Sequence, residues 1–171
     1  MNIFLTDPDP HTCAVWLDDV RVSKMTLETA QLLSTTCNLL LPGHTWDLYK
    51  TTHMNHPCAL FARKNLSNFN WLVEHGLCLA AEFDRRFGHA HKSEQIIILC
   101  HRVLNCAASI DLEYTKGWAR GPLTFSFNCS GYDTGDIYRD YQLRMCEKWD
   151  SDIRRPQWKR RQRPHWYTPR V

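Results

Sequence analysis

The sequence predicts an all-α or mainly α fold: one compact helical bundle carrying a basic, aromatic C-terminal segment. Three observations predict it. Apolar residues recur at three- and four-residue spacings through several long stretches, the period of a half-buried helix. Gly, Ser and Thr crowd only one interval, "GPLTFSFNCSGYDTGD". A chain of 171 residues with 43% hydrophobic and 23% charged residues is sized for a single core. The expected organisation is therefore one helical domain over residues 1–171, with 154–171 packed on it. No linker, repeat or low-complexity stretch divides the chain.

Taken in order, "NIFLT" is a short apolar run stopped by "DPDP", whose prolines and aspartates favour a turn and then a helix start. From about Thr12 to Asn38 the period fits one long helix or two, ended by Pro42 and Gly43. A second helix is expected from His56 or Pro57 to about Phe87, with "NHPC" supplying a cap and a first-turn proline, and with a bend midway allowed. "KSEQIIILCHRVLNCAASI" reads as a third, largely buried helix. The Gly, Ser and Thr-rich interval reads as a loop. "DIYRDYQLRMCEKWDSDI" returns to helical period, with Ile137, Tyr141, Met145 and Trp149 four apart.

Two of these helices carry polar stripes. Arg21, Lys24, Glu28 and Gln31 are three, four and three residues apart, so they share one narrow face between Val20 and Leu27 on one side and Met25 and Leu32 on the other. Asn68, Trp71, His75, Glu82 and Arg86 repeat the pattern on the second helix. If the stripes face each other, Glu28, Lys24, Arg21, His75 and Glu82 become candidate catalytic residues. A shared pocket shifts carboxylates and imidazoles toward acid/base work. The competing reading is a structural ion-pair network with exposed i, i+4 pairs.

Charge is sorted along the chain. Residues 154–171, "RRPQWKRRQRPHWYTPRV", hold seven of the 21 Lys and Arg residues and no carboxylate, which leaves 14 cations against 18 carboxylates elsewhere. Such sorting steers phosphate-bearing partners. The candidate nucleic-acid contacts are Arg86, His89, His91 and Lys92, then Arg155, Trp158, Lys159, Arg160, Arg161, Arg163, Trp166 and Tyr167. Rings among arginines suit stacking plus phosphate contact. The competing reading has the same rings docking the segment onto the domain.

Eight cysteines without a Cys-x-x-Cys pair, and a start "MNIFLTDPDP" lacking a basic region and a long apolar run, point to reduced thiols and a cytoplasmic protein. No window approaches the length of a membrane span. No paired Cys motif accompanies His53 and His56, three apart, or His89 and His91, and the His-x-His of the latter lacks the one-face spacing of a zinc helix, so neither metal nor cofactor is expected. No P-loop, dinucleotide fingerprint, serine elbow or kinase motif is present.

Three blocks carry a family resemblance: "MNIFLTDPDPHTCAVWLDDVRVSKMTLETAQLLST", "YKTTHMNHPCALFARKNLSNFNWLVEH" with "EFDRRFGHAHKSE", and "YRDYQLRMCEKW" with "RPHWY". They resemble small phage and bacterial proteins grouped with pyrimidine-dimer DNA glycosylases of the phage endonuclease V type. The resemblance implies a compact helical fold that kinks duplex DNA and cleaves a glycosidic bond through an amine nucleophile and a glutamate, without cofactor. It matches Arg21 to the active-site arginine, and Trp166 with Tyr167 to a C-terminal aromatic pair lying against DNA. Two positions depart from the pattern: Asn2 stands where the family has a small residue behind the initiator Met, and Val22 where it has the catalytic glutamate.

The residues also offer a mechanism of their own, with Lys24 as a Schiff-base amine and Glu28 shuttling protons. The function expected is a phage-type enzyme processing bases in DNA, by glycosylase/lyase or base-modifying chemistry on a duplex or a flipped-out, single-stranded base. The alternatives are a non-catalytic DNA-binding or host-interfering protein, and an enzyme or binder of free nucleotides or nucleobases. Nothing in the sequence sets the oligomeric state.

Overall fold

The computed structural model describes residues 2–109, 118 and 121–169; Ile110, at the end of the third expected helix, and the tail cation Arg170 lie outside them. The described residues form six helices and no strand: α1 (Pro10–Trp16), α2 (Asp19–Leu40), α3 (Pro57–Ala62), α4 (Leu66–Phe87), α5 (Glu94–Ser109) and α6 (Ile137–Ser151).

Side-chain caps decide where the long periodic stretches break. Asp9 accepts from the Thr12 N–H at 2.8 Å, and Pro10 fills the first turn of α1, where no backbone donor is needed. Asp18, buried, accepts from the Val20 N–H at 3.3 Å and the Trp149 indole at 2.8 Å, so the first stretch is two helices with a break at Leu17. Asn65 accepts from the Asn68 N–H at 2.9 Å and donates to the Pro122 carbonyl at 3.1 Å. The second stretch therefore does not bend; it divides into α3 and α4. Gly88 ends α4 at φ 78°, a left-handed backbone open to glycine.

α2, α4 and α5 pack against one another, with α1 across α4. At Gly76 on α4 a Cβ would lie 2.7 Å from Thr29 Cγ2 of α2 and 3.0 Å from Ile97 Cδ1 of α5. The three helices meet so closely there that only hydrogen fits. The interval 121–136 is a loop, as expected, pinned to α4 by Asn68, which accepts from the Thr124 N–H at 3.0 Å and donates to the Thr124 carbonyl at 3.1 Å.

α6 joins the two ends of the chain to α2. Its Gln142 donates to the Thr6 carbonyl at 3.1 Å, and its buried Trp149 reaches Asp18. Trp149 also stacks on Trp166, with ring centroids 5.4 Å apart, and packs against Trp158 and Tyr167. The C-terminal segment is held further by the Trp158 indole donating to the Trp16 carbonyl at 3.0 Å, and by Arg160 donating to the Arg85 carbonyl at 2.8 Å. The segment is docked by these indole hydrogen bonds and ring packing together with a backbone hydrogen bond from the Asp19 N–H to the Gln157 carbonyl at 2.8 Å.

Candidate active site

The N-terminal segment, the first turns of α2 and the last turns of α6 enclose a hollow of about 270 Å³. The segment enters it through Phe4, whose φ of 53° is a left-handed backbone uncommon for a side chain of this size. That conformation is held from both sides. The Phe4 N–H donates to Asn2 Oδ1 at 3.2 Å, and its carbonyl accepts from the Thr6 N–H at 2.9 Å and the buried Cys13 thiol at 3.1 Å.

Glu28 is the central carboxylate. Its Oε2 accepts from the backbone nitrogen of Asn2 at 3.0 Å, and its Oε1 lies 3.7 Å from Lys24 Nζ. Arg21 lies one turn back, with its guanidinium mostly covered and donating to both oxygens of Asp152, 2.9 Å from one of them, and to Asp18 at 3.3 Å. Burial opposes its charge, but hydrogen bonding to Asp152 and the charge of Asp18 outweigh it, so Arg21 is a fixed cation. Arg21 in turn holds the Asp152 carboxyl below its ordinary range.

Two cations from α6 complete the walls. Arg144 pairs with Glu147 at 2.6 Å. Lys148 lies over the Phe4 ring, 6.0 Å from its centroid, and among the described residues no carboxylate forms an ion pair with it. Burial first, then the nearby charges of Arg21, Arg144 and Lys24, push its ammonium below the usual lysine range. A hollow with crowded cations and one carboxylate at its centre favours an anionic ligand lying across the rim and a cationic intermediate at Glu28.

The structure thus brings together Arg21, Lys24 and Glu28 but not His75 and Glu82. His75 lies in the core, stacked on Trp71 at 5.3 Å, with neither ring nitrogen hydrogen-bonded. Burial pushes its pKa down to about 3, so it stays neutral. Glu82 is gripped by Arg86, 3.1 Å away, and by Arg161. Burial raises its pKa and the two guanidiniums lower it further than that, which leaves a permanent carboxylate ill suited to carrying protons. The stripe of α4 is an internal ion-pair network, and the facing-stripe arrangement does not form. On α2, the shoulder of Met25 and Leu32 is buried while Val20 and Leu27 stand open.

The expected nucleic-acid contacts divide in the same way. Arg86 is fully covered and spent on the Leu17 carbonyl at 2.8 Å, the Val15 carbonyl at 3.0 Å and Asp19 at 3.2 Å. Tyr167 is buried, donating to Asp150 at 3.2 Å, and Trp166 lies between Trp16 and Trp149. These rings dock the segment onto the domain; Trp158 and Trp166 are half-buried. Arg161 is committed to Glu82. Arg155, Lys159, Arg160 and Arg163 remain exposed. His89 and His91 pack edge-on against Phe83, beside exposed Lys92, in a second hollow of about 390 Å³ that Leu27 also lines. Among the described residues no cluster of His, Cys, Asp and Glu is arranged to hold a metal ion.

Sequence reasoning missed Phe4, Arg144 and Lys148, and took Asn2 only as a departure from the family pattern. Arg144 and Lys148 are four apart beside the apolar stripe of α6, a visible signal, but nothing in the spacing says which groove they face.

The family model for pyrimidine dimer DNA glycosylases matches residues 1–95, more than half of the chain. The chain belongs to the pyrimidine dimer DNA glycosylase family, a DNA-repair family acting on DNA. The matched part contains Asn2, Arg21, Lys24 and Glu28; Arg144 and Lys148 lie beyond it. No curated protein and no solved structure matches the chain. No described helix is long and apolar enough to cross a membrane.

Proposed function

We propose that the protein is a DNA glycosylase with lyase activity, acting at the hollow around Glu28 on a damaged base turned out of the duplex. The observation that carries this reading is the 3.0 Å contact between Glu28 and the nitrogen of Asn2 inside a cation-walled hollow. In this reaction an amine attacks C1′ of the deoxyribose. The bond from C1′ to the base nitrogen breaks, and the base leaves with a proton. The amine-linked sugar then opens to an imine, and loss of a C2′ proton expels the 3′ phosphate. Glu28 stabilises the cationic sugar and carries the protons. Arg144 and Lys148, with Arg155, Lys159, Arg160 and Arg163 further out, neutralise backbone phosphates.

The amine is the nitrogen of Asn2, exposed by cleavage of the bond to Met1. A second reading gives the role to Lys24, which is already an amine and lies 3.7 Å from the same carboxylate. Borohydride trapping on a duplex with one abasic site, followed by peptide mapping, decides between them. A covalent adduct on the peptide beginning at Asn2, surviving Lys24→Ala, supports the first; an adduct lost in Lys24→Ala supports the second. Absence of any adduct together with intact DNA overturns the function.

A further inference from the structure

Asn2 lines the hollow half-buried, and Ile3, Phe4, Leu5 and Thr6 behind it are buried. Its side chain turns back along its own chain: Oδ1 accepts from the Ile3 N–H at 2.8 Å and from the Phe4 N–H at 3.2 Å. Two donors on one atom identify it as the oxygen of the carboxamide, because the amide nitrogen accepts no hydrogen bond. The bond to Phe4 closes a turn of the kind asparagine side chains form with the backbone two residues on. That turn leads straight into the left-handed backbone of Phe4, at φ 53°. Beyond Phe4 the segment is anchored by the Thr6 carbonyl, which accepts from Gln142 of α6 at 3.1 Å. The main-chain nitrogen of Asn2 emerges from the turn 3.0 Å from Glu28 Oε2.

A chain end is ordinarily loose unless something ties it down. With Met1 removed, rotation about the Cα–C bond of Asn2 would swing its nitrogen away from α2. The two bonds to Oδ1 oppose that rotation, because the same carboxamide oxygen has to stay over two N–H groups of the buried segment. Alanine at this position offers no acceptor, and the nitrogen would turn freely.

We propose that the Asn2 carboxamide is a positioning group, which holds the α-amine of its own residue against Glu28 for attack on C1′. The inference deepens the glycosylase reading and rests on it, with the Asn2 nitrogen as the amine. The nitrogen lone pair forms the bond to C1′, the bond from C1′ to the base breaks with its electron pair on the base, and the proton lost by the amine passes through Glu28 to the leaving base. None of these atoms belongs to the carboxamide. Its effect is on placement alone, and a displacement of about 1 Å in a reacting atom costs on the order of 100-fold in rate.

The test uses the whole chain made with a cleavable fusion that leaves residue 2 first, so that Met1 removal does not differ between variants, and each terminus is checked by mass spectrometry. Borohydride trapping under single turnover, on a duplex with one abasic site, reads attack on C1′. Asn2→Ala should be trapped roughly 10- to 100-fold more slowly with duplex affinity unchanged. Asn2→Asp keeps an acceptor in the same place and should recover most of the rate. Its added negative charge holds the proton on the amine more tightly, so its profile of rate against pH should move to higher pH. Hydrogen exchange at the Ile3 and Phe4 amides, faster in Asn2→Ala and restored in Asn2→Asp, reports the turn apart from the chemistry. Trapping of Asn2→Ala at the parent's rate, on residue 2, overturns the positioning role and leaves the glycosylase reading standing; faster exchange beside that unchanged rate would make the turn a structural tie only. A loss that Asn2→Asp does not recover at any pH also overturns the role. A parent that forms no adduct overturns the reading and the role together, and an adduct on Lys24 alone overturns the role while keeping the reaction.

Discussion

Arg161 crosses from the C-terminal segment to Glu82 on α4, its Nε lying 3.0 and 3.1 Å from the two carboxylate oxygens, while Arg86 holds the same carboxylate from one turn along the helix. The segment that looks most like a free DNA-binding arm is thereby tied to the domain through one buried anion. Glu82→Gln takes this counter-charge from two guanidiniums, and leaves the fully covered one, Arg86, paired with Asp19 alone. The expected cost is about 3 kcal/mol in urea unfolding, with borohydride trapping retained by the folded fraction. Trapping lost at full stability would return Glu82 to the reaction.

The same carboxylate sets part of the acid sensitivity. Its folded pKa lies below the ordinary 4.5, so its contribution to stability is present above about pH 4.5 and is lost as pH falls through the lower folded value. Asp152, held down by Arg21, loses its contribution on the same side of its ordinary 3.8. Unfolding midpoints followed downward from pH 5 should fall in the parent, and fall less steeply in Glu82→Gln.

His75 acts over a higher window. Unfolded, it binds a proton near its ordinary 6.5; folded, burial pushes it down to about 3. Between those values the unfolded chain holds the extra proton. Stability from this residue is therefore complete above pH 6.5 and declines by up to about 1.4 kcal/mol per pH unit below it. His75→Phe keeps a ring against Trp71, removes two nitrogens with no hydrogen-bond partner, and should flatten the stability profile between pH 6 and 4. An unchanged slope in that variant would mean that the imidazole is not held neutral.

Gly76 and Thr29 mark where α4 touches α2. A methyl at Gly76 would lie 2.7 Å from Thr29 Cγ2, on a side chain that is itself buried. Gly76→Ala should cost about 2 kcal/mol despite the better helix propensity of alanine. Thr29→Ala removes the clashing methyl, so the double variant should recover part of the loss. Additive costs in the double-mutant cycle would show that the two positions are not in contact.

The helices were legible because apolar period survives in the sequence; the break at Leu17 was left open as one helix or two, and the break before α4 was allowed only as a bend. Asp18 and Asn65 are good capping residues, but periodicity runs through both, and a cap inside a periodic stretch is decided by whether its side chain finds the backbone donor. The α2 half of the hollow could be read from Arg21, Lys24 and Glu28 at helical spacing. The other half comes from Asn2, Phe4, Arg144 and Lys148, brought in by the two ends of the chain, and no local spacing records that meeting. The α4 stripe failed for a related reason. A line of polar residues between apolar neighbours has the same pattern whether it faces a cleft or, as with His75, Glu82 and Arg86, the interior.

Lys148 and Glu28 share a hollow yet should fail differently when altered. Lys148 carries a charge with no ion-paired carboxylate among the described residues, the condition for a phosphate contact that releases a counterion. Lys148→Ala should weaken duplex binding for every sequence tested and reduce the slope of log affinity against log salt by roughly one unit, leaving the site of adduct formation unchanged. In the proposed reaction Glu28 carries the proton and stabilises the developing sugar cation. Glu28→Gln should keep both affinity and salt slope near those of the parent while single-turnover base release falls roughly 100-fold or more. The reverse pairing, with chemistry lost in Lys148→Ala and only binding lost in Glu28→Gln, would place the reacting amine on α6 and make Glu28 a support for the N-terminal segment.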